Sequence, residues 1–70
     1  MKIEYDPGHD LLNLEFLSDV PIVDSMEGDG VIFDYAADRR IVAIEILDAS
    51  KRTTGEAMNV IDFAVVKSSA

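Results

Sequence analysis

Seventy residues leave room for one domain, and a chain this short without cysteine has no disulfide or thiolate metal site to stabilise it. Six Lys and Arg against 14 Asp and Glu give a net charge of −8, with the acids spread from Glu4 to Asp62. That field disfavours direct binding to nucleic acid or to an anionic membrane and favours a basic protein partner.

No apolar run approaches the roughly 20 residues of a membrane span. Met1 to Asp6 has no apolar signal core, so a cytoplasmic protein is expected. At this size, burial of roughly 4,000 Å² of apolar surface yields roughly 100 kcal/mol, and ordering the chain costs about the same. Self-association is the remaining source of stability.

Lys2 to Tyr5 alternates polar and apolar, with Ile3 and Tyr5 on one side, and predicts a short first strand. Asp6-Pro7-Gly8-His9-Asp10 is a turn cluster: Pro fixes φ, Gly tolerates positive φ, and Asp side chains bond the nearby backbone. Leu11 to Leu17 places Leu12, Leu14 and Phe16 opposite Asn13 and Glu15, a half-exposed second strand. Pro21 to Glu27 is a weaker strand, because proline lacks a ladder donor and suits a strand start or an edge. Gly28-Asp29-Gly30 turns the chain into Val31 to Tyr35, and Ala36 to Arg40 is a polar tip.

Ile41 to Leu47 is the most hydrophobic strand, with Ile41, Ala43, Glu45 and Leu47 on one face and Val42, Ile44 and Ile46 on the other. Apolar residues on both faces predict a central strand covered on both sides. Thr53-Thr54-Gly55-Glu56 fits a capping box, and Ala57, Val60, Ile61, Ala64 and Val65 recur at helical spacing. The β-branched run Val60 to Val66 also fits a strand.

The expected fold is therefore α+β: a four- to five-stranded antiparallel meander over residues 2–47, a turn at 48–53 and one helix at about 54–66. A single helix leaves one sheet face uncovered, which predicts a homodimer.

No residue set meets the requirements of catalysis, and none is expected to hold a cofactor or metal. His9, flanked by Asp6 and Asp10, has no second His or Cys, and a turn uses the same residue types. Asp24, Glu27 and Asp29 lack the alternating spacing of a calcium loop. Ser25 lacks the leading glycine of a nucleophile elbow, and Ser50-Lys51 lacks the three-residue interval of Ser-x-x-Lys. Glu45 is the single charge inside the apolar strand, so it needs a partner or a raised pKa; Lys2, Arg39 or Arg40 are the candidate partners. Asp48 or Ser50 is expected to cap a short turn, with Lys51 and Arg52 in water. The candidate interface residues are Ile41, Ala43, Glu45, Leu47, Lys51 and Arg52.

Three stretches together carry a resemblance: Lys2-Ile3-Glu4-Tyr5-Asp6-Pro7 with Asp10 and Leu12; Asp29-Gly30-Val31-Ile32 with Asp34-Tyr35; and Ile41-Val42 through Ile44 to Arg52. Over residues 2–52 the chain resembles the small prokaryotic domain-of-unknown-function family 2283. The resemblance implies a stand-alone domain with no catalytic residues to carry over, and suggests an antitoxin-like partner of a small basic protein. Asn13 departs from it, since an aromatic often follows the Asp10 turn there, and nothing from Thr53 onward is matched. The functional expectation is a homodimeric protein-interaction module; the alternative is a small-molecule-binding or enzymatic domain with its site between subunits.

Overall fold

The computed structural model describes residues 1–54 and 57–67. Five strands, β1 Lys2–Asp6, β2 Leu11–Glu15, β3 Asp24–Gly28, β4 Val31–Tyr35 and β5 Ile41–Leu47, form one antiparallel sheet in the order β1-β2-β5-β4-β3. The order is meander-like. A β1-β2 hairpin and a β3-β4-β5 meander join along β2 and β5, which puts the most hydrophobic strand in the middle.

Four aspartates hold left-handed backbone at the corners, at Asp10, Asp19, Asp29 and Asp48. Aspartate tolerates this conformation because its short side chain bonds locally. Asp29 (φ 53°) and Gly30 (φ 77°) are both positive, the pattern of a two-residue type I′ hairpin between β3 and β4. In the first corner Asp6 Oδ1 accepts from Gly8 N at 2.9 Å, which makes the Pro7-Gly8 segment an Asp-stabilised turn.

β2 and β3 are antiparallel to one another, so the link at residues 16–23 runs along one end of the sheet to the far edge. Phe16 and Leu17 N–H groups both donate to the Val42 carbonyl, at 2.7 and 3.2 Å, and this ends β2. Leu17 and Val20 pack on the buried trio Ala36, Val42 and Ala43 beneath the link. Beside it the β4-β5 register shifts at Asp34/Tyr35, which sets Ile41 opposite Tyr35. The opposite end is closed by a 3-10 turn, Ala49–Lys51, whose Ala49 is fully buried.

The helix expected at 54–66 does not form, and the α+β class with it. Ala57–Asn59 makes one 3-10 turn, and residues 60–67 have no regular structure. Glu56 of the supposed capping box lies outside the described residues. Thr53 looks backward instead, its hydroxyl donating to the Ala49 carbonyl at 3.0 Å and so fastening the preceding turn. The physical reason is burial: helical periodicity organises a short segment only where its apolar face packs, and Val60, Ile61, Phe63, Val65 and Val66 are all exposed. Four of those five are β-branched, which lowers helix propensity further.

Candidate functional site

Residues directly opposite across antiparallel strands point to the same side of the sheet. The register therefore sorts the chain into two unlike faces. One row reads Glu4, Asn13, Glu45, Ile32, Glu27 across all five strands, and the next reads Lys2, Glu15, Ala43, Asp34, Ser25. On the other side the rows read Ile3, Leu14, Ile44, Phe33, Met26 and Tyr5, Leu12, Ile46, Val31, Gly28, without a single ionised group. One face is carboxylate-rich and the other apolar.

An open hollow of about 670 Å³ lies on the carboxylate face, bordered by Glu4, Asn13, Glu15, Asp34 and Glu45, with Ile22 of the end link at its rim. Its floor contains Asp34, a charged residue only 4% exposed. Ser25 Oγ donates to Asp34 Oδ1 at 2.6 Å from the neighbouring strand, so this carboxylate is hydrogen-bonded. Glu45 is Asp34's diagonal neighbour, because Asp34 is opposite Ala43. Its hydrogen bond with Asp34, its own partial burial and Asp34's charge raise the Glu45 carboxyl to about 7.

The expected cationic partner of Glu45 is not there. Lys2 reaches Glu4 at 3.4 Å, Arg39 reaches Asp24 at 2.9 Å while lying 4.3 Å over the Tyr35 ring, and Arg40 reaches Asp38 at 2.6 Å. Each arginine binds an acid close to its own loop, which leaves Glu45 beside another acid. A raised pKa takes the place of an ion pair. Sequence alternation could have put Asp34 and Glu45 on one face only if the register of β4 on β5 were known.

The remaining singled-out residues are dispersed. His9 Nδ1 lies 2.8 Å from Asp6 Oδ2 on an exposed turn, and the His9 contact leads the effects that hold the Asp6 carboxyl below its usual range. Asp24, Glu27 and Asp29 occupy β3 and its hairpin; Asp24 is held low mainly by Arg39, and Arg52 Nη2 is 3.3 Å from Asp29. Among the described residues, no group of three or more His, Asp or Glu is placed to hold a metal ion.

Of the candidate interface residues, Ala43, Glu45 and Leu47 share the carboxylate face, with Ala43 buried inside the chain. Ile41 sits beyond the register shift, and Lys51 and Arg52 lie past the end of β5. Asp48 has left-handed backbone and no side-chain cap, while Lys51 Nζ lies 3.7 Å from it.

Sequence reasoning missed a structural cluster. Tyr5 Oη donates to Asp10 Oδ1 at 2.6 Å, Ser50 N donates to the same oxygen at 2.9 Å, and Ser50 Oγ donates to Asp10 Oδ2 at 2.7 Å. These donors hold the Asp10 carboxyl low, Tyr5 first, and the same bond raises the Tyr5 phenol. Turn capping by Asp48 or Ser50 is what the local sequence suggests, whereas the Ser50 link to Asp10 spans 40 residues of chain.

The sequence matches the family described as "Protein of unknown function (DUF2283)" over residues 2–50, and the chain belongs to it. The match ends at Ser50, so it includes both halves of the Asp10 and Ser50 cluster. No curated protein and no solved structure matches the chain. Among the described residues, no helix is long and apolar enough to cross a membrane.

Proposed function

We propose that this member of the DUF2283 family is a homodimeric protein-interaction module that presents its carboxylate face to a basic protein partner. The observation supporting the reading is the segregation of charge: Glu4, Glu15, Glu27, Asp34 and Glu45 share one side of the sheet, while on the other side the two central rows carry no ionised group and the Asp24–Arg39 pair stands at the β3 corner. Complementary charge of this kind raises association rate and excludes acidic competitors. An antitoxin-like pairing with a small basic protein is the form of partnership that fits the family resemblance and the −8 charge together.

The test is co-purification of the tagged chain from its own host at low salt, in parallel with a Glu15→Gln, Glu27→Gln variant. A basic protein retained by the wild type, weakened by the variant and weakened again as salt passes about 0.15 M supports the reading. Retention of acidic or neutral proteins alone, or of a small molecule, overturns it.

A second reading rests on a separate observation: Glu45, with a pKa raised to about 7, borders an open hollow beside buried Asp34. A carboxyl titrating near neutrality suits proton transfer to a small molecule. Specific retention of a small molecule that Glu45→Gln abolishes would favour this enzymatic or ligand-binding alternative.

A further inference from the structure

The apolar face is covered only in part among the described residues, with Phe63 of the C-terminal segment beside Ile3 at its β1 edge. Among the described residues, the buried hydrophobic positions are three alanines and Val42, and no large side chain is fully buried. Leu12, Leu14, Val31, Phe33, Ile44 and Ile46 each remain partly exposed. The accessible surface is 5365 Å². A compact chain of 7.7 kDa has about 4,300 Å², so the excess is about 1,000 Å², shared between the sheet and the exposed C-terminal residues 60–66. A standard protein interface removes about 800 Å² from each partner.

Charge narrows the occupant. Two chains of −8 repel wherever their acids meet, and the apolar rows are where they can touch without placing acid against acid. A two-fold axis needs a patch that complements itself, and the uncharged patch centred on Ile44, in the middle of the middle strand, with the Asp24–Arg39 pair at its corner, meets that need. At the β1 edge the patch continues into the C-terminal segment, where Phe63 sits beside Met1 and Ile3. Beyond it Val65 and Val66 are 86% and 87% exposed.

We infer that a second copy of this chain covers the apolar face, with Leu14, Phe33 and Ile44 at the centre of the contact and residues 60–66 closing its border. The inference rests on the homodimeric reading above and assigns the dimer to one face. It leaves the carboxylate faces outward on both copies, free for the basic partner.

Sedimentation equilibrium at about 50 µM tests the assembly by mass action. The expected mass is twice the 7.7 kDa chain. Met26→Glu and Phe63→Glu locate the contact; these side chains are 56% and 70% exposed in the single chain, so neither is needed for its fold. Each is expected to weaken the dimer at least about tenfold, since an unpaired charge at an apolar contact is costly, while Glu15→Gln leaves it unchanged. Contacts between Phe33 of one copy and Ile44 of the other, in a sample mixed from labelled and unlabelled chains, provide a readout independent of the variants.

A monomeric mass overturns both the inference and the homodimeric part of the proposed function, and it would leave the face to the chain's own C-terminal segment or to another protein. A dimer indifferent to both Met26→Glu and Phe63→Glu, or broken by Glu15→Gln, overturns only the choice of face. The basic-partner reading stands or falls separately, on retention and its salt dependence.

Discussion

Asp10 and Ser50 are joined twice across 40 residues, by the Ser50 backbone N–H and by its hydroxyl. The Asp10 carbonyl also accepts from Ala49 N at 3.0 Å, so the first hairpin and the turn after β5 are fastened at one place. In a small chain without disulfides, this polar cluster links the sequence ends of the sheet.

Ser50→Ala removes the hydroxyl donor and retains the backbone bond, and it is expected to lower the unfolding midpoint by about 5 °C. Asp10→Ala removes the acceptor for three donors and is expected to cost more. Thermal denaturation followed by circular dichroism measures both. Equal and negligible shifts would show that the cluster contributes nothing to stability.

The same cluster contributes to the acid limb of stability. Asp10 has a folded pKa below its ordinary value of 3.8, as do Asp6, Asp24 and Asp38, so the folded state binds fewer protons than the unfolded state as pH falls through this range. Stability from these groups is fully present above the ordinary value and is lost as pH falls through the depressed folded values. Asp10→Asn is expected to flatten that loss. A titration of unfolding midpoint below pH about 5 in which the variant falls as steeply as the wild type would contradict this.

Glu45 acts in the opposite sense. Its pKa rises from 4.5 to about 7 on folding, so between these values the folded state holds a proton that the unfolded state has released. Stability therefore declines as pH rises from 4.5 to about 7 and levels off above it. Glu45→Gln, neutral throughout, is expected to remove this decline and to raise the midpoint by a few degrees, on the order of 3 °C, at alkaline pH. Glu4, Glu15 and Asp34 border the same hollow, so a carboxyl-resolved NMR titration is the measurement that isolates Glu45.

Gly28 and Gly30 flank Asp29 and differ in what they tolerate. A Cβ on Gly28 meets nothing within 4 Å, and a Cβ on Gly30 meets Arg52 Nη1 at 2.9 Å from a backbone at φ 77°. Gly30→Ala is expected to destabilise by about 1 kcal/mol, mainly through the left-handed backbone, because the Arg52 tip can move. Gly28→Ala is expected to be neutral or stabilising by under about 1 kcal/mol. Denaturant unfolding of the two variants compares them directly.

Val60→Pro separates the observed C-terminal segment from the helix its periodicity suggests. Proline in a helix interior costs about 3 kcal/mol, a midpoint shift of more than about 10 °C at this size. Residue 60 lies in no regular structure and its side chain is exposed, so a shift below about 3 °C is expected. A large loss on thermal denaturation would restore the helix.

The sequence by itself placed all five strands, the fourth and fifth to the residue and the third with its start three residues early, because alternation such as Ile3 and Tyr5 or Leu12 and Leu14 fits a half-covered pleat, and Asp and Gly mark the corners. The family relationship was legible too, in the segments from Lys2 to Ser50. Pairing was not legible. Which strand lies beside which depends on long-range register, and that register alone set Glu45 beside Asp34, and Asp10 against Ser50. The C-terminal segment shows the same limit from the other side: Ala57, Val60, Ile61, Ala64 and Val65 carry helical spacing, yet spacing becomes a helix only where a surface is available to bury it. Tertiary structure decides such cases because the free energy of burial and of hydrogen bonding belongs to the contacts made, and the same residues make different contacts in different registers.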